Sequence, residues 1–195
     1  MRKRLRTIVT AGVLGGALVF TGCSTGGDQD QATPSTTSQH EGHGSSSDSG
    51  GMEHPMDGGP APEGIETAAS PTYPVGTEVT LTADHMEGMD GANATIAGAY
   101  DTYTYAVDFT PSTGGEPVKD HKWVVQQEIK DAGEERLADG TEVTLEAEHM
   151  EGMKGAKATI ASSTDETVYM VDYESDGMTM TNHKWVVESE IKPAS

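Results

Sequence analysis

The chain has 195 residues, room for one or two modest domains, and it is poor in core-forming residues: 34% are hydrophobic and 5% aromatic, against 24 glycines. Its formal charge of −20 repels nucleic acid and anionic lipid and attracts cations, so nucleic-acid binding is not predicted. The sequence contains no Gly-rich phosphate loop after a strand, no Gly-x-Ser-x-Gly and no HExxH segment, and an enzyme is not predicted.

The first 22 residues have the pattern of an export signal, because four basic residues precede an apolar stretch that is too short to span a bilayer. The sequence Phe-Thr-Gly-Cys at 20–23 resembles the bacterial lipobox, in which the Cys thiol is acylated and becomes the mature N-terminus. We therefore predict a lipoprotein signal peptide at residues 1–22, lipidation of Cys23, and an extracytoplasmic chain anchored to the bacterial cell membrane. A Cys that merely follows a secretion signal is the alternative.

Residues 23–74 are predicted to form a disordered tether. They are rich in Gly, Ser, Thr, Asp, Gln and Pro, and they bury too little apolar surface to offset the entropy of ordering. Two groups of metal-ligating side chains interrupt this composition, namely His40 and His43, then Met52, His54 and Met56. Such tracts are typical of metal binding, with chance enrichment as the alternative.

Two copies of one sequence follow the tether. Residues 76–98 and 140–162 are identical at 18 of 23 positions, and the copies align again at HKWVV, residues 121–125 and 183–187. We predict repeat domain 1 at residues 75–130, a linker at 131–139 and repeat domain 2 at 140–195, each folding as its own small domain.

Apolar and polar residues alternate within each repeat, which is typical of strands. In repeat 1 the alternating sets are Val79/Leu81/Ala83, Tyr103/Tyr105/Val107/Phe109 and Trp123/Val125/Ile129, with a short strand near residues 94–96. No segment has a sustained helical period. The predicted fold class is therefore all-β, with two tandem small curled sheets or barrels.

Histidine and methionine are concentrated in the sequence His-Met-Glu-Gly-Met, which occurs once in each repeat. It supplies His85, Met86 and Met89 in repeat 1 and His149, Met150 and Met153 in repeat 2. Imidazole and thioether are neutral ligands that suit copper far better than calcium or magnesium. A glycine-hinged loop can turn three such donors toward one point, so these six residues are the predicted copper ligands, with Cu(I) favoured over Cu(II) and no organic cofactor. The alternative is that these methionines fill gaps in a small core.

Alignment of the repeats separates the remaining methionines and histidines. Met180 aligns with Val118, which favours a buried position, whereas Met178 aligns with Glu116, which favours an exposed residue that is available as a ligand. His121 and His183 begin a strand in both copies, and each is either a hydrogen-bonded structural residue or a ligand. Met178, His121 and His183 join the tether residues as possible auxiliary ligands.

The GTEVTL, HMEGMxGAxATI and HKWVV segments resemble the YdhK-like lipoproteins, which contain tandem copies of a domain of unknown function. The resemblance covers residues 75–192. Because this family includes a copper-resistance lipoprotein, the resemblance implies copper binding at the cell surface, carried by the two HMEGM segments. The Gly-rich turn also looks similar to small barrels of the Src-homology-3 type.

Together these observations predict a surface-anchored copper-binding lipoprotein that buffers or sequesters copper. Its expected partners are the metal ion and the membrane, through the lipid anchor. The alternative is a non-enzymatic module without metal that binds cell-wall polymer or another exported protein.

Overall fold

Ten strands form from the alternating segments of the sequence, and the computed structural model describes residues 55–194. No α-helix occurs among these residues, and none there could cross a membrane as a helix. A one-turn 3₁₀ helix follows each HKWVV strand, at Gln126–Glu128 and Glu188–Glu190. The strands are β1 (Glu66–Thr67), β2 (Glu78–Leu81), β3 (Asn93–Asp101), β4 (Thr104–Phe109), β5 (Val118–Val125), β6 (Glu142–Thr144), β7 (Lys157–Thr164), β8 (Val168–Ser175), β9 (Met178–Val187) and β10 (Ile191–Pro193).

The strands pair into two antiparallel sheets. Sheet 1 has the order β10-β2-β3-β8-β9, with β1 beside β3, and sheet 2 has the order β5-β4-β7-β6. Neither sheet closes into a barrel among residues 55–194. The all-β prediction is confirmed, as two antiparallel sheets that do not close.

Each sheet contains strands from both repeats. Repeat 1 gives β2 and β3 to sheet 1 but β4 and β5 to sheet 2, while repeat 2 gives β6 and β7 to sheet 2 but β8 to β10 to sheet 1. Sheet 2 is therefore one continuous segment, residues 104–164, and sheet 1 is built from the chain on either side of it. This differs from the expectation that each repeat folds as its own domain, because alternation decides which face a residue takes and not which strand it pairs with.

Three hydrophobic clusters hold the sheets. One belongs to sheet 1 and includes Leu81, Ile96 and Tyr169; one belongs to sheet 2 and includes Tyr105, Leu145 and Ile160. The third joins residues from both sheets, among them Trp123, Trp185, Ala106 and Met170. Strand β4 contributes to two clusters, so it is buried on both faces and its residues 104–107 are all buried.

The segment before repeat 1 is ordered from residue 55, so the prediction of a disordered tether up to residue 74 is wrong for its last part. Gly58 N donates to the Thr181 carbonyl (2.9 Å), and Thr181 N donates to the Met56 carbonyl (2.8 Å). A side chain at Gly58 would collide with the Asn182 carbonyl oxygen. Composition did not reveal this docking, because it depends on backbone hydrogen bonds to a strand edge and on a few scattered apolar side chains, Ala61, Ile65, Ala68 and Tyr73, that pack against the clusters. Residues 23–54, like the signal segment and Cys23, lie outside the described residues.

Candidate metal site

The two HMEGM segments form equivalent loops, one between β2 and β3 and the other between β6 and β7. Their glycines, Gly88 and Gly152, have φ values of 76° and 75°, in the left-handed region that favours glycine. Gly152 lies against the β4–β5 loop, where Ser112 N donates to its carbonyl (2.8 Å). A side chain on Gly88 would likewise meet Ser175, at the end of β8, and Asp176, in the β8–β9 turn. Each HMEGM loop is therefore closed against a hairpin of the other repeat.

The second methionine of each loop is a core residue. Met89 and Met153 are both 0% exposed and belong to the clusters of sheet 1 and sheet 2. The expectation that they are exposed donors is wrong, because the glycine turn directs these side chains under the loop and into apolar surroundings. In this conformation they are not accessible to an ion from solvent.

The first methionine of each loop lies nearer the surface. Met86 is half-buried, and the Tyr173 hydroxyl is 3.8 Å from its Sδ, a weak hydrogen bond to sulfur. Burial raises the pKa of Tyr173, so this hydroxyl remains protonated as a donor at neutral pH. Met150 is largely buried at 6% exposure, yet it lines a cleft together with Met86.

The histidine of each loop is held by a glutamate of the other repeat, of which Glu128 is buried and Glu190 is partly buried. His85 Nε2 lies 2.7 Å from Glu190 Oε1, and His149 Nε2 lies 2.8 Å from Glu128 Oε1. The second oxygen of each glutamate accepts a tryptophan N–H at 2.9 Å, from Trp123 to Glu190 and from Trp185 to Glu128. Metal-binding histidines in proteins are typically oriented by such a carboxylate on the second ring nitrogen.

Both glutamates are ionised at neutral pH. Burial raises the pKa of Glu128, but the charge and hydrogen bond of His149, with the N–H groups of Trp185 and Val125, more than offset it, and the pKa lies below its ordinary value. Burial likewise raises the pKa of Glu190, and the hydrogen bond and charge of His85, with Trp123 and Val187, lower it below the ordinary value. An ionised carboxylate only accepts hydrogen bonds, so the histidine Nε2 atoms are the donors.

One cleft brings the remaining donors together. It has a volume of about 630 Å³ and lies between the β2–β3 loop and the first residues of β5, with Met150 and Met178 at its border. We call it the Met/His cleft and define it by its sulfur and nitrogen donors, Met86, Met150, Met178, His85 and His121. The carboxylates of Asp84, Glu87 and Asp120 also line it. Donors from both repeats thus share one cleft.

Some of the possible auxiliary ligands line the Met/His cleft, and others lie away from it. Met178 is 52% exposed and Met180 is buried, as the repeat alignment predicts. His121 lines the cleft and has its ring 5.8 Å from that of Phe109, whereas His183 is buried, with its ring 5.4 Å from that of Tyr173. Met56 is exposed beside β9 and is not part of the cleft. His40, His43, Met52 and His54 lie outside the described residues.

Sequence reasoning missed Glu128 and Glu190. Both occupy the same position after HKWVV and precede Ile-Lys in both repeats, a signal that could have identified them. Among residues 55–194, no three or more His, Cys, Asp or Glu side chains are grouped so as to hold a metal ion. Thioethers are not counted in that ligand set, and the Met/His cleft supplies three of them.

Comparisons with known proteins identify the family. The model of a family described as "Protein of unknown function (DUF1541)" matches residues 75–126 and 139–188. The uncharacterized protein YdhK of Bacillus subtilis (strain 168) is 47% identical over 182 residues, which is 92% of this chain and 86% of YdhK.

Solved structures of YdhK are similar to this chain. A 2.00 Å crystal structure of the Bacillus subtilis protein, described as a DUF1541 family protein, has a TM-score of 0.69 at 51% identity, covering 70% of this chain and 94% of the other. A solution NMR structure of the YdhK C-terminal domain has a TM-score of 0.59 at 54% identity, covering 62% of this chain and 92% of the other. With two matched copies of the family domain and this degree of identity, the chain belongs to the DUF1541 family.

Proposed function

We propose that the protein is a surface-anchored copper-binding lipoprotein that buffers or sequesters copper, and that it is not an enzyme. The observation that carries the proposal is the Met/His cleft, in which three thioethers and two imidazoles from both repeats line one cavity. Neutral sulfur and nitrogen donors favour Cu(I) over hard cations. The copper is cargo, and the chain needs no organic cofactor for this role.

Charge and accessibility support the same proposal. The formal charge of the whole chain is −20, which raises the local concentration of cations near the surface. The cleft itself is lined by three carboxylates, of Asp84, Glu87 and Asp120, and by two ammonium groups, of Lys119 and Lys122, so its charged lining is acidic by one charge. Met178 is the most accessible donor, so we assign it the first contact with an incoming ion.

The export signal and lipobox-like sequence of the first 23 residues support a membrane-anchored location. We propose that Cys23 is acylated and tethers the protein to the outer face of the bacterial cell membrane. Metabolic labelling with a fatty acid should mark the wild-type chain, and Cys23→Ala should release an unlabelled protein into the medium. A labelled Cys23→Ala chain would contradict the anchor while leaving the copper proposal intact.

The copper proposal is tested by titrating the chain from residue 24 with Cu(I) against a competing chelator, since this chain lacks the only thiol. Leucine conserves methionine volume but removes the thioether. Met178→Leu should weaken binding of the copper held by the thioethers about tenfold, or about 1.4 kcal/mol, and Met86, Met150 and Met178 changed together to Leu should remove that copper.

The matched control is Met56→Leu, because Met56 and Met178 are 54% and 52% exposed and only Met178 lines the cleft. We expect Met56→Leu to bind copper like the wild type. Unchanged uptake by the triple cleft variant, measured as copper per folded chain, would reject the proposal and leave an interaction module without metal.

A further inference from the structure

The imidazole of His149 has one nitrogen held and the other without a hydrogen-bond partner. Its side chain is 7% exposed, and its Nε2 is bound to Glu128. Its Nδ1 is buried and has no hydrogen-bond partner among the described residues. Leaving a buried polar atom unsatisfied costs about 1–3 kcal/mol, so an atom of this kind in a folded protein needs an explanation, and a bound ion is one.

The state of this nitrogen follows from its neighbour. The Trp185 indole N–H and the Val125 backbone N–H both donate to this carboxylate, so it acts as an acceptor, and we assign the hydrogen of the 2.8 Å contact to His149 Nε2. In the neutral imidazole, Nδ1 then has a lone pair that points away from the carboxylate. This is the arrangement of a metal-binding histidine with a carboxylate behind it.

The carboxylate is itself fixed in place. Glu128 Oε2 accepts the Trp185 indole N–H at 2.9 Å and the Val125 backbone N–H at 3.2 Å. Trp185 is 0% exposed and lies in the cluster between the two sheets. The orientation of the His149 ring is therefore set by groups from both repeats, through Glu128.

A second imidazole lies at a suitable distance. The ring centres of His121 and His149 are 6.1 Å apart, with 34° between the ring planes. Two imidazoles bound to one ion from opposite sides at about 2.0 Å each have ring centres roughly 6 Å apart. His121 also lines the Met/His cleft, and so does Met150, the residue after His149. His149 itself lines a second cleft, with Glu128 and Lys184, so His121 is the member of the imidazole pair that faces the Met/His cleft.

We propose that His149, through Nδ1, and His121 hold one low-coordinate soft monovalent cation beside the Met/His cleft, with Glu128 as the positioning residue. The inference rests on the proposed function, because the cleft gives the ion access. It adds a specific imidazole pair, one ligand from each repeat, and predicts that this site takes the first equivalent of metal.

The equivalent histidine of repeat 1 provides an internal comparison. His85 has the same support from Glu190 and Trp123, but its ring packs edge-on against Trp123 at 6.2 Å. Its Nδ1 is not one of the buried nitrogens without a hydrogen-bond partner in the described part of the chain. The first equivalent is therefore assigned to His149 and not to His85.

The test uses Ag(I), a redox-inert probe for Cu(I), and nitrogen-15 NMR of the histidine rings in the intact mature chain. With one equivalent of Ag(I), the His149 Nδ1 signal should shift strongly while Nε2 stays protonated and the Trp185 indole N–H signal persists. The His85 ring signals should move only at higher ratios. Uptake of the first equivalent without a shift of His149 Nδ1 would overturn this inference alone, whereas no uptake at all would overturn the proposed function as well.

Two variants distinguish the proposed ligand, His149, from the proposed positioning residue, Glu128. The His149→Ala variant should lose the first binding step, whereas the His85→Ala variant should keep it. Glu128→Gln should weaken the first step about 10- to 100-fold and allow the other ring tautomer of His149, visible in the long-range proton–nitrogen pattern, because an amide can donate as well as accept. If His149→Ala fails to fold, the wild-type titration decides. An unchanged tautomer and affinity in folded Glu128→Gln would contradict the positioning role.

Discussion

Methionines of the same repeat have opposite environments, which repeat alignment predicted for one pair and missed for another. Met178 and Met180 align with Glu116 and Val118, so the pattern in repeat 1 indicated their exposure and burial correctly. Met153 aligns with Met89, and because the two residues are identical, the alignment does not indicate whether either is buried or exposed. Their burial follows from the glycine turn and from the strands beneath the loop, which local sequence does not show.

Met153→Ala is expected to lower the free energy of unfolding by about 2–5 kcal/mol, because it removes a fully buried side chain from the sheet 2 cluster. Met178→Ala should change it by less than about 0.5 kcal/mol, since Met178 is an exposed residue. Urea denaturation followed by tryptophan fluorescence measures both. Equal effects of the two substitutions would contradict the assigned environments.

The carboxyl of Glu128 makes stability depend on pH. Its pKa in the folded protein lies below the ordinary value of 4.5, so the unfolded chain binds its proton at higher pH than the folded chain does. The stabilisation is therefore fully present above roughly pH 5 and is lost as pH falls through the pKa of the folded state. Acid must break the buried contacts to His149 and Trp185.

We expect the free energy of unfolding of the wild type to fall between about pH 5 and about pH 3. The Glu128→Gln variant should be less stable at pH 7, but its free energy of unfolding should change less over this pH range. Denaturant titrations at each pH measure this difference. Glu151→Gln is the control, because Glu151 is exposed in the same loop as His149. A Glu128→Gln curve parallel to that of the wild type would refute the assignment.

At the scale of elements, alternation of apolar and polar residues was enough to place the strands but not to define which of their two faces is buried. Strand β4 was predicted from alternate residues Tyr105 and Val107, and those residues do face one cluster. Ala106, between them, faces the cluster shared by the two sheets, so the strand is buried on both sides. Alternation indicates one buried face and is silent about a second sheet packed behind it.

Two alanine variants can separate the contact of the second HMEGM loop with the β4–β5 loop from the strain of its glycine backbone. Gly152 and Gly155 have φ values of 75° and 78°, so alanine is strained at both positions by about 1–2 kcal/mol. A Cβ on Gly152 would also lie 2.5 Å from Thr113 Oγ1 and 2.8 Å from Pro111 Cβ, whereas a Cβ on Gly155 would have nothing within 4 Å.

Gly152→Ala should therefore destabilise the protein more than Gly155→Ala, and it should also disturb the cleft by moving Met150. Thermal unfolding and metal titration of the two variants measure these effects. If the two alanines have the same effect on stability, the loop is not closed against the β4–β5 loop in solution.

At the scale of the whole molecule, the repeats in the sequence and the sheets in the structure have different boundaries. The duplication is visible in the sequence at a glance, but the partners in the site, such as His85 and Glu190, are 105 positions apart and meet only because the repeats exchange strands. A pairing between copies and a pairing within one copy satisfy the same alternation, since the copies are nearly identical. The choice is made by the cluster between the sheets, where Trp123 and Trp185 pack.

The exchange predicts which fragments fold. Residues 104–164 contain all strands of sheet 2 and every buried residue of its cluster, so this segment should fold cooperatively as a monomer, with lower stability because the face that bears Trp123 loses its cover. Residues 75–130, a sequence repeat of similar length, contain two of the six strands of sheet 1 and two of the four strands of sheet 2, and should not fold alone. Dispersion of amide NMR signals and mass by light scattering distinguish these states.

Mixing completes the test, because residues 55–130 and 131–195 together carry every strand of both sheets. The two fragments should combine one to one, recover the dispersed spectrum and restore the contacts of His85 with Glu190 and of His149 with Glu128. Each half of a site comes from a different fragment, so metal uptake should appear only in the mixture. A dispersed monomeric spectrum from residues 75–130 alone would show that a repeat can close on itself, and strand exchange would then not be required for the fold or for the cleft.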